Sequence, residues 1–202
     1  NYIKAIGGKD MLLNVNTLVS NMDVTIPGAP FKPMAISKQM MPNKISFEMK
    51  ANMGGQTMSL MKRNFSGEKG YMEQQGQKML MSEEEIMEAK NVEGIFEELY
   101  YSDDQTELLS INSIDGEDVY KIKVVKNEKT SYRYYAVESG YLISIEEEDE
   151  NKNISSTKYG DYRSVNGIMM PYFMQVNAGG QNLEFNTSEV MVNTELKDSD
   201  FY

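Results

Sequence analysis

The side chains that could do chemistry in this 202-residue chain are carboxylates, lysines, tyrosines and methionines, because it contains neither Cys nor His. Without imidazole there is no Ser-His-Asp triad, no His-based zinc site and no His general base. Without thiols there is no disulfide, thiol nucleophile, Fe–S cluster or lipid-modified cysteine, and the redox compartment is left undecided. Acid–base work by carboxylate, Lys or Tyr stays open. The run "EEEDE" at 146–150 offers oxygen ligands for calcium, but it lacks the spaced D-x-[DN]-x-[DN]-G pattern and reads as a solvated hairpin tip. Glu83, Glu84 and Glu85 follow Ser82; that spacing is a capping box, with acids placed favourably at a helix N-terminus. Tyr132, Tyr134 and Tyr135 around Arg133 could form a stacking platform for sugar or nucleic acid, although Tyr is also favoured in strands. "AIGG" at 5–8 and the other Gly pairs have neither dinucleotide nor Walker spacing. Paired carboxylates for glycoside hydrolysis would meet in space rather than in sequence, and no stretch points to one.

Methionine stands out. There are 17 Met and no Trp, and twelve of the 17 fall between residues 22 and 87. A flexible, polarisable thioether suits irregular core gaps and also adaptable apolar ligand surfaces. The composition supports both readings.

The elements that must position these residues are mostly strands. "NKISFEMKANM" at 43–53 alternates Ile45, Phe47, Met49, Ala51 and Met53 with polar residues. Met58 and Leu60 continue the alternation after Gly54-Gly55, and Met61, Arg63 and Phe65 shift it by one, which predicts a β-bulge. "YMEQQ" and "QKMLM" predict a hairpin turning at Gly76. Asp115-Gly116 and Asn166-Gly167 are hairpin signals. About ten or eleven strands are expected, at roughly 8–12-residue spacing, as in a sandwich or barrel. A helix is predicted over about residues 9–16, and one interrupted helix or two short ones over 83–100, lying across a face of the sheet. With no linker rich in Pro, Gly or Ser, one domain over 1–202 is expected.

The net charge of −11, with 20 basic residues among 31 acids, argues against binding nucleic acid or an anionic membrane surface. No run of about 18 apolar residues is present to cross a bilayer as a helix. The chain begins at Asn1 without a signal-peptide pattern, as expected of a mature or trimmed product.

Six stretches carry a resemblance: "YIKAIGG" at 2–8, "PNKISFEMK" at 42–50, "FSGEKGYMEQQGQKM" at 65–79, "DVYKIKV" at 118–124, "YGDYRSVNGIMMPY" at 159–172 and "EVMVNTELKDSDF" at 189–201. In this order they resemble the outer-membrane lipoprotein-carrier superfamily of LolA and LolB. More closely, they are similar to a Bacteroidetes cell-envelope domain that also occurs as a C-terminal extension of pitrilysin/insulinase-type zinc peptidases. The resemblance implies a mainly β (α+β) fold: a strongly curved antiparallel half-barrel with helices against its concave face and an apolar cavity between. It also implies a periplasmic or cell-envelope location. No carrier-family site residue transfers, and the peptidases' metal site needs His, which is absent here.

The expected function is therefore non-enzymatic, without cofactor or metal: binding of a lipid, a lipoprotein acyl chain or another apolar ligand, in lipoprotein sorting. The alternative is a non-catalytic accessory or interaction domain linked to a zinc peptidase. The expected lining is Met49, Met53, Met58, Leu60, Met72, Met79 and Met81 from strands, with Met87, Ile95, Phe96 and Leu99 from the covering helix.

Overall fold

The computed structural model describes residues 1–74, 76–127, 129–148 and 152–202. The chain is mainly β: thirteen strands in one antiparallel hydrogen-bonded order, β6-β5-β4-β3-β2-β1-β13-β12-β11-β10-β9-β8-β7. In chain order these are β1 Thr17–Thr25, β2 Met34–Met40, β3 Lys44–Met53, β4 Gln56–Phe65, β5 Gly70–Gln74, β6 Gln77–Leu80, β7 Thr106–Ile114, β8 Glu117–Lys126, β9 Lys129–Ala136, β10 Leu142–Glu148, β11 Ile154–Val165, β12 Ile168–Ala178 and β13 Gln181–Val192. Three α-helices, α1 Tyr2–Ala5, α2 Lys9–Leu13 and α3 Glu83–Lys90, and three short 3₁₀ turns complete the described elements. None of these helices is long and apolar enough to cross a membrane.

Thirteen strands exceed the ten or eleven expected, and β2 is one not foreseen. It has one β-branched residue, Ile36, in "MAISKQM", and Pro33 and Pro42 on its flanks; pairing with both β1 and β3 overrides that weak local preference. The helix expected over 83–100 is α3 alone, followed by irregular chain and a 3₁₀ turn at Glu97–Leu99. The helix expected over 9–16 ends at Leu13, and the Asn14 side chain bonds back to the Asp10 carbonyl at 2.7 Å.

The chain divides into two compact units, Asn1–Lys9 with Tyr100–Phe185 (the first) and Asp10–Leu99 with Asn186–Tyr202 (the second). In the second unit, the predicted bulge is present: Met49 pairs with Met61 and Lys50 with Ser59, leaving Leu60 as the extra residue. Cross-strand register places Ala35, Met49 and Met61 in one row and Arg63, Met72 and Met79 in another, on the face that carries Phe65. Phe65 is fully buried, at 0% exposure. The opposite face carries Lys38, Ser46 and Asn64 in a row. There Lys38 binds Asp200, Lys44 binds Asp198 at 2.6 Å, and Lys62 donates to the Tyr202 carbonyl at 3.3 Å. These contacts hold the 3₁₀ turn at Asp198–Phe201 over that face, with Phe201 buried.

In the first unit, Asp115-Gly116 joins β7 to β8 and Asn166-Gly167 joins β11 to β12. Both pairs have two positive φ angles, 52° and 88° in one and 51° and 85° in the other. This is the type I′ geometry that matches strand twist.

Candidate functional site

The first unit holds an open cavity of about 420 Å³, lined by Asn1, Tyr2, Leu108, Tyr120, Ile122, Tyr135, Ala136, Val137 and Gly140. Three strands and one helix build it. Leu108 of β7 pairs with Ile122 of β8, and Tyr120 of β8 pairs with Tyr135 of β9. Cross-strand partners share a face, so these side chains form one continuous wall. Helix α1 supplies the other side. Its end is fastened by the fully buried Ile6, whose carbonyl accepts from the Met169 N–H at 2.9 Å. Gly140 lets it approach: a Cβ there would stand 3.2 Å from the Ala5 Cβ, on a backbone with φ of 76° that already favours glycine. The Tyr2 ring meets Tyr135 at 5.1 Å between centroids.

None of the lining side chains is charged. The cavity has an apolar body with phenol hydroxyls, and its wall continues onto exposed Leu108 and Ile111 of the edge strand β7.

Several carboxylates elsewhere in this unit are engaged. In a neighbouring, more polar depression, Asp115 takes Lys158 at 2.9 Å and Asp161 takes Arg163. The Arg163 guanidinium, hydrogen-bonded to Asp161, holds that carboxyl below the usual range. The tyrosine cluster divides by strand parity. Tyr132 and Tyr134 share a face, with Lys121 lying 4.3 Å and 5.4 Å from their ring centroids. Tyr134 also donates to Glu146 at 2.6 Å. Burial first, and then this bond, raise the Tyr134 phenol above its ordinary value. Arg133 and Tyr135 face the other way, and Arg133 lies 5.3 Å from the Tyr101 ring. A flat platform of the three tyrosines is therefore not formed. Of the acidic run at 146–150, Glu147 and Glu148 are exposed, and residues 149 and 150 lie outside the described residues. No group of three or more His, Cys, Asp or Glu among the described residues could hold a metal ion.

The lining expected from the sequence lies wholly in the second unit. Met72, Met79 and Met81 come together there, with Arg63, Leu80 and Glu85, around a smaller cavity of about 190 Å³. Met49, Met81 and Phe96 are buried core residues, Met53, Leu60, Ile95 and Leu99 are half-buried, and Met58 is exposed. Met87 is 64% exposed on α3, a helix that buries none of its residues. The α3 cap has the predicted form: Ser82 Oγ accepts from the Glu85 N–H at 3.2 Å, and Glu85 accepts from the Ser82 N–H at 2.7 Å. These bonds hold the Glu85 carboxyl below its usual range.

No protein-family model matches the chain, and no curated protein matches it. Solved structures do. A domain assigned to outer-membrane lipoprotein sorting in Vibrio parahaemolyticus superimposes with a TM-score of 0.60 at 12% identity, over 92% of this chain and 89% of that one. A LolA-superfamily protein of Nitrosomonas europaea gives 0.56 at 12% identity, over 93% and 90%. The fold is of the LolA type. A DUF1329 family protein of Desulfovibrio piger shares it, at a TM-score of 0.61 and 11% identity over 96% of this chain and 92% of that one. At such identities the likeness to LolA-type structures extends to the fold alone.

The cavity in the first unit escaped the sequence reading. Alternation in "DVYKIKVVK" already places Tyr120 and Ile122 on one face. Which face is covered depends on where the N-terminal helix lands, and no local pattern carries that.

Proposed function

We propose that the protein is a non-enzymatic cell-envelope domain that binds a lipid acyl chain or a similar elongated apolar ligand, in the handling or sorting of lipoproteins. The observation that carries this is the cavity of about 420 Å³, lined by no charged side chain, on a LolA-type fold. Its size falls in the range of roughly 300–1,000 Å³ that suits small ligands. Each methylene taken from water would contribute about 0.8 kcal/mol, so a chain of modest length is held without any charged anchor. An amphiphile would leave its head group at the open edge beside Leu108. The methionine face of the second unit, from Met49 to Leu99 as read from the sequence, is proposed as a second apolar surface. A periplasmic location accords with this reading.

The test is native mass spectrometry and solvent extraction of protein purified without detergent, followed by titration with a fluorescent fatty acid. The proposal expects copurifying lipid or saturable probe binding. Protein that carries no lipid and binds no probe contradicts it.

A further inference from the structure

We propose that Met72, Met79 and Met81 form a thioether site for a soft monovalent cation of the Cu(I) or Ag(I) class. Three features converge on the β5–β6 hairpin. Met72 and Met79 are direct cross-strand partners, which puts their Cβ atoms about 4.5–5.5 Å apart. Met81 follows Met79 by two residues and lies on the same face, and its N–H bonds the Gly70 carbonyl at 3.0 Å. Its sulfur lies over Gly70: a Cβ there would stand 2.0 Å from the Met81 Sδ. Gly70 is itself two residues before Met72 on that face. The three side chains line one cavity of about 190 Å³, and Met side chains have the torsional freedom to turn three sulfurs toward a common point.

The ion class follows from the donors. Thioethers are soft ligands that select Cu(I), whereas oxygen and imidazole donors serve the harder divalent ions. The chain has neither Cys nor His, so Met is its only soft ligand. Two charged side chains share the cavity, Arg63 and Glu85. Arg63 repels a cation, and the ionised Glu85 offsets it. A singly charged ion therefore suits the site better than a divalent one.

This site shares residues with the second apolar surface proposed above, and Met→Leu separates the two. Leu keeps the apolar volume and removes the sulfur. The full chain is titrated with Ag(I) nitrate in chloride-free buffer, by native mass spectrometry and calorimetry, beside the Met72→Leu/Met79→Leu double variant. The expected result is one tightly bound Ag(I) in the wild type and binding at least about tenfold weaker in the double variant, with the far-UV circular dichroism of the two proteins the same. Peroxide footprinting gives a second readout. Ag(I) should protect Met72 and Met79 from oxidation and leave Met34 and Met87, both well exposed, fully reactive. If the double variant fails to fold, Met79→Leu alone at a 52% exposed position carries the same comparison. Equal Ag(I) affinity in wild type and variant, no bound Ag(I), or protection only at other methionines would overturn the proposal.

Discussion

Both compact units are built mainly of antiparallel strands, and their cavities differ in lining and size. In the first, the wall is Tyr120, Ile122 and Tyr135 facing the short helix α1, and a cavity of about 420 Å³ is left open. In the second, methionines crowd the corresponding kind of surface, and the cavity among Met72, Met79 and Met81 is about 190 Å³. The side chains that line the two cavities differ in stiffness. Aromatic and β-branched residues hold a few fixed rotamers and cannot flow into a gap. Met has three rotatable bonds and fills irregular space. Methionine enrichment, which from sequence suggested the lining of a cavity, coincides with the smaller of these two cavities.

The largest effect should come from emptying the filled unit. Phe65→Ala removes a fully buried ring and should cost about 3–5 kcal/mol, read by urea unfolding. Ile122→Ala, at a half-buried wall position of the open cavity, should cost markedly less. Comparable losses at the two positions would break the comparison.

Next is Gly70→Ala. Its methyl would meet the Met81 Sδ at 2.0 Å and the Asn64 carbonyl oxygen at 2.8 Å, so overpacking by about 1–3 kcal/mol is expected. Adding Met81→Ala should recover only part of this, because the backbone oxygen cannot move aside. Full recovery would show that the sulfur alone sets the constraint.

Ser82→Ala should cost about 1 kcal/mol, but locally. Because α3 buries no residue, faster amide exchange is expected across Glu83–Lys90 with little change in global unfolding.

The smallest effect concerns Asp200. Lys38, and then the Lys197 N–H, hold its carboxyl below the usual aspartate value of 3.8. A depressed folded pKa gives stability that is present above the unfolded value and lost as pH falls through the folded one. Asp200→Asn should therefore be slightly less stable than wild type at neutral pH, and the gap should close as pH drops below 3.8. A gap that persists at lower pH would assign the effect to something other than this charge.

What could be read in advance was local. Asp115-Gly116 and Asn166-Gly167 announced their turns because few dipeptides accept two positive φ angles. The Leu60 bulge was visible as a slip in the alternation, and the Ser82–Glu85 cap as a spacing. β2 was hidden because its pairing with two neighbours, rather than its composition, makes it a strand. The cavity was hidden for a related reason: it needs Tyr2 against Tyr135, a contact between distant parts of the chain. The methionines showed their shared face but not how tightly each would be buried. Met81 is 9% exposed because Gly70 leaves room for its sulfur, whereas Met79, its neighbour on the same face, is 52% exposed.

The most direct test of the account is to fill the cavity of the first unit with Ile122→Trp and titrate a fluorescent fatty acid, beside Met72→Leu/Met79→Leu in the second. Ile122→Trp should weaken probe binding at least about tenfold, more than the methionine variant does. Unchanged binding by a folded Ile122→Trp protein would contradict the first-unit cavity as the main acyl site.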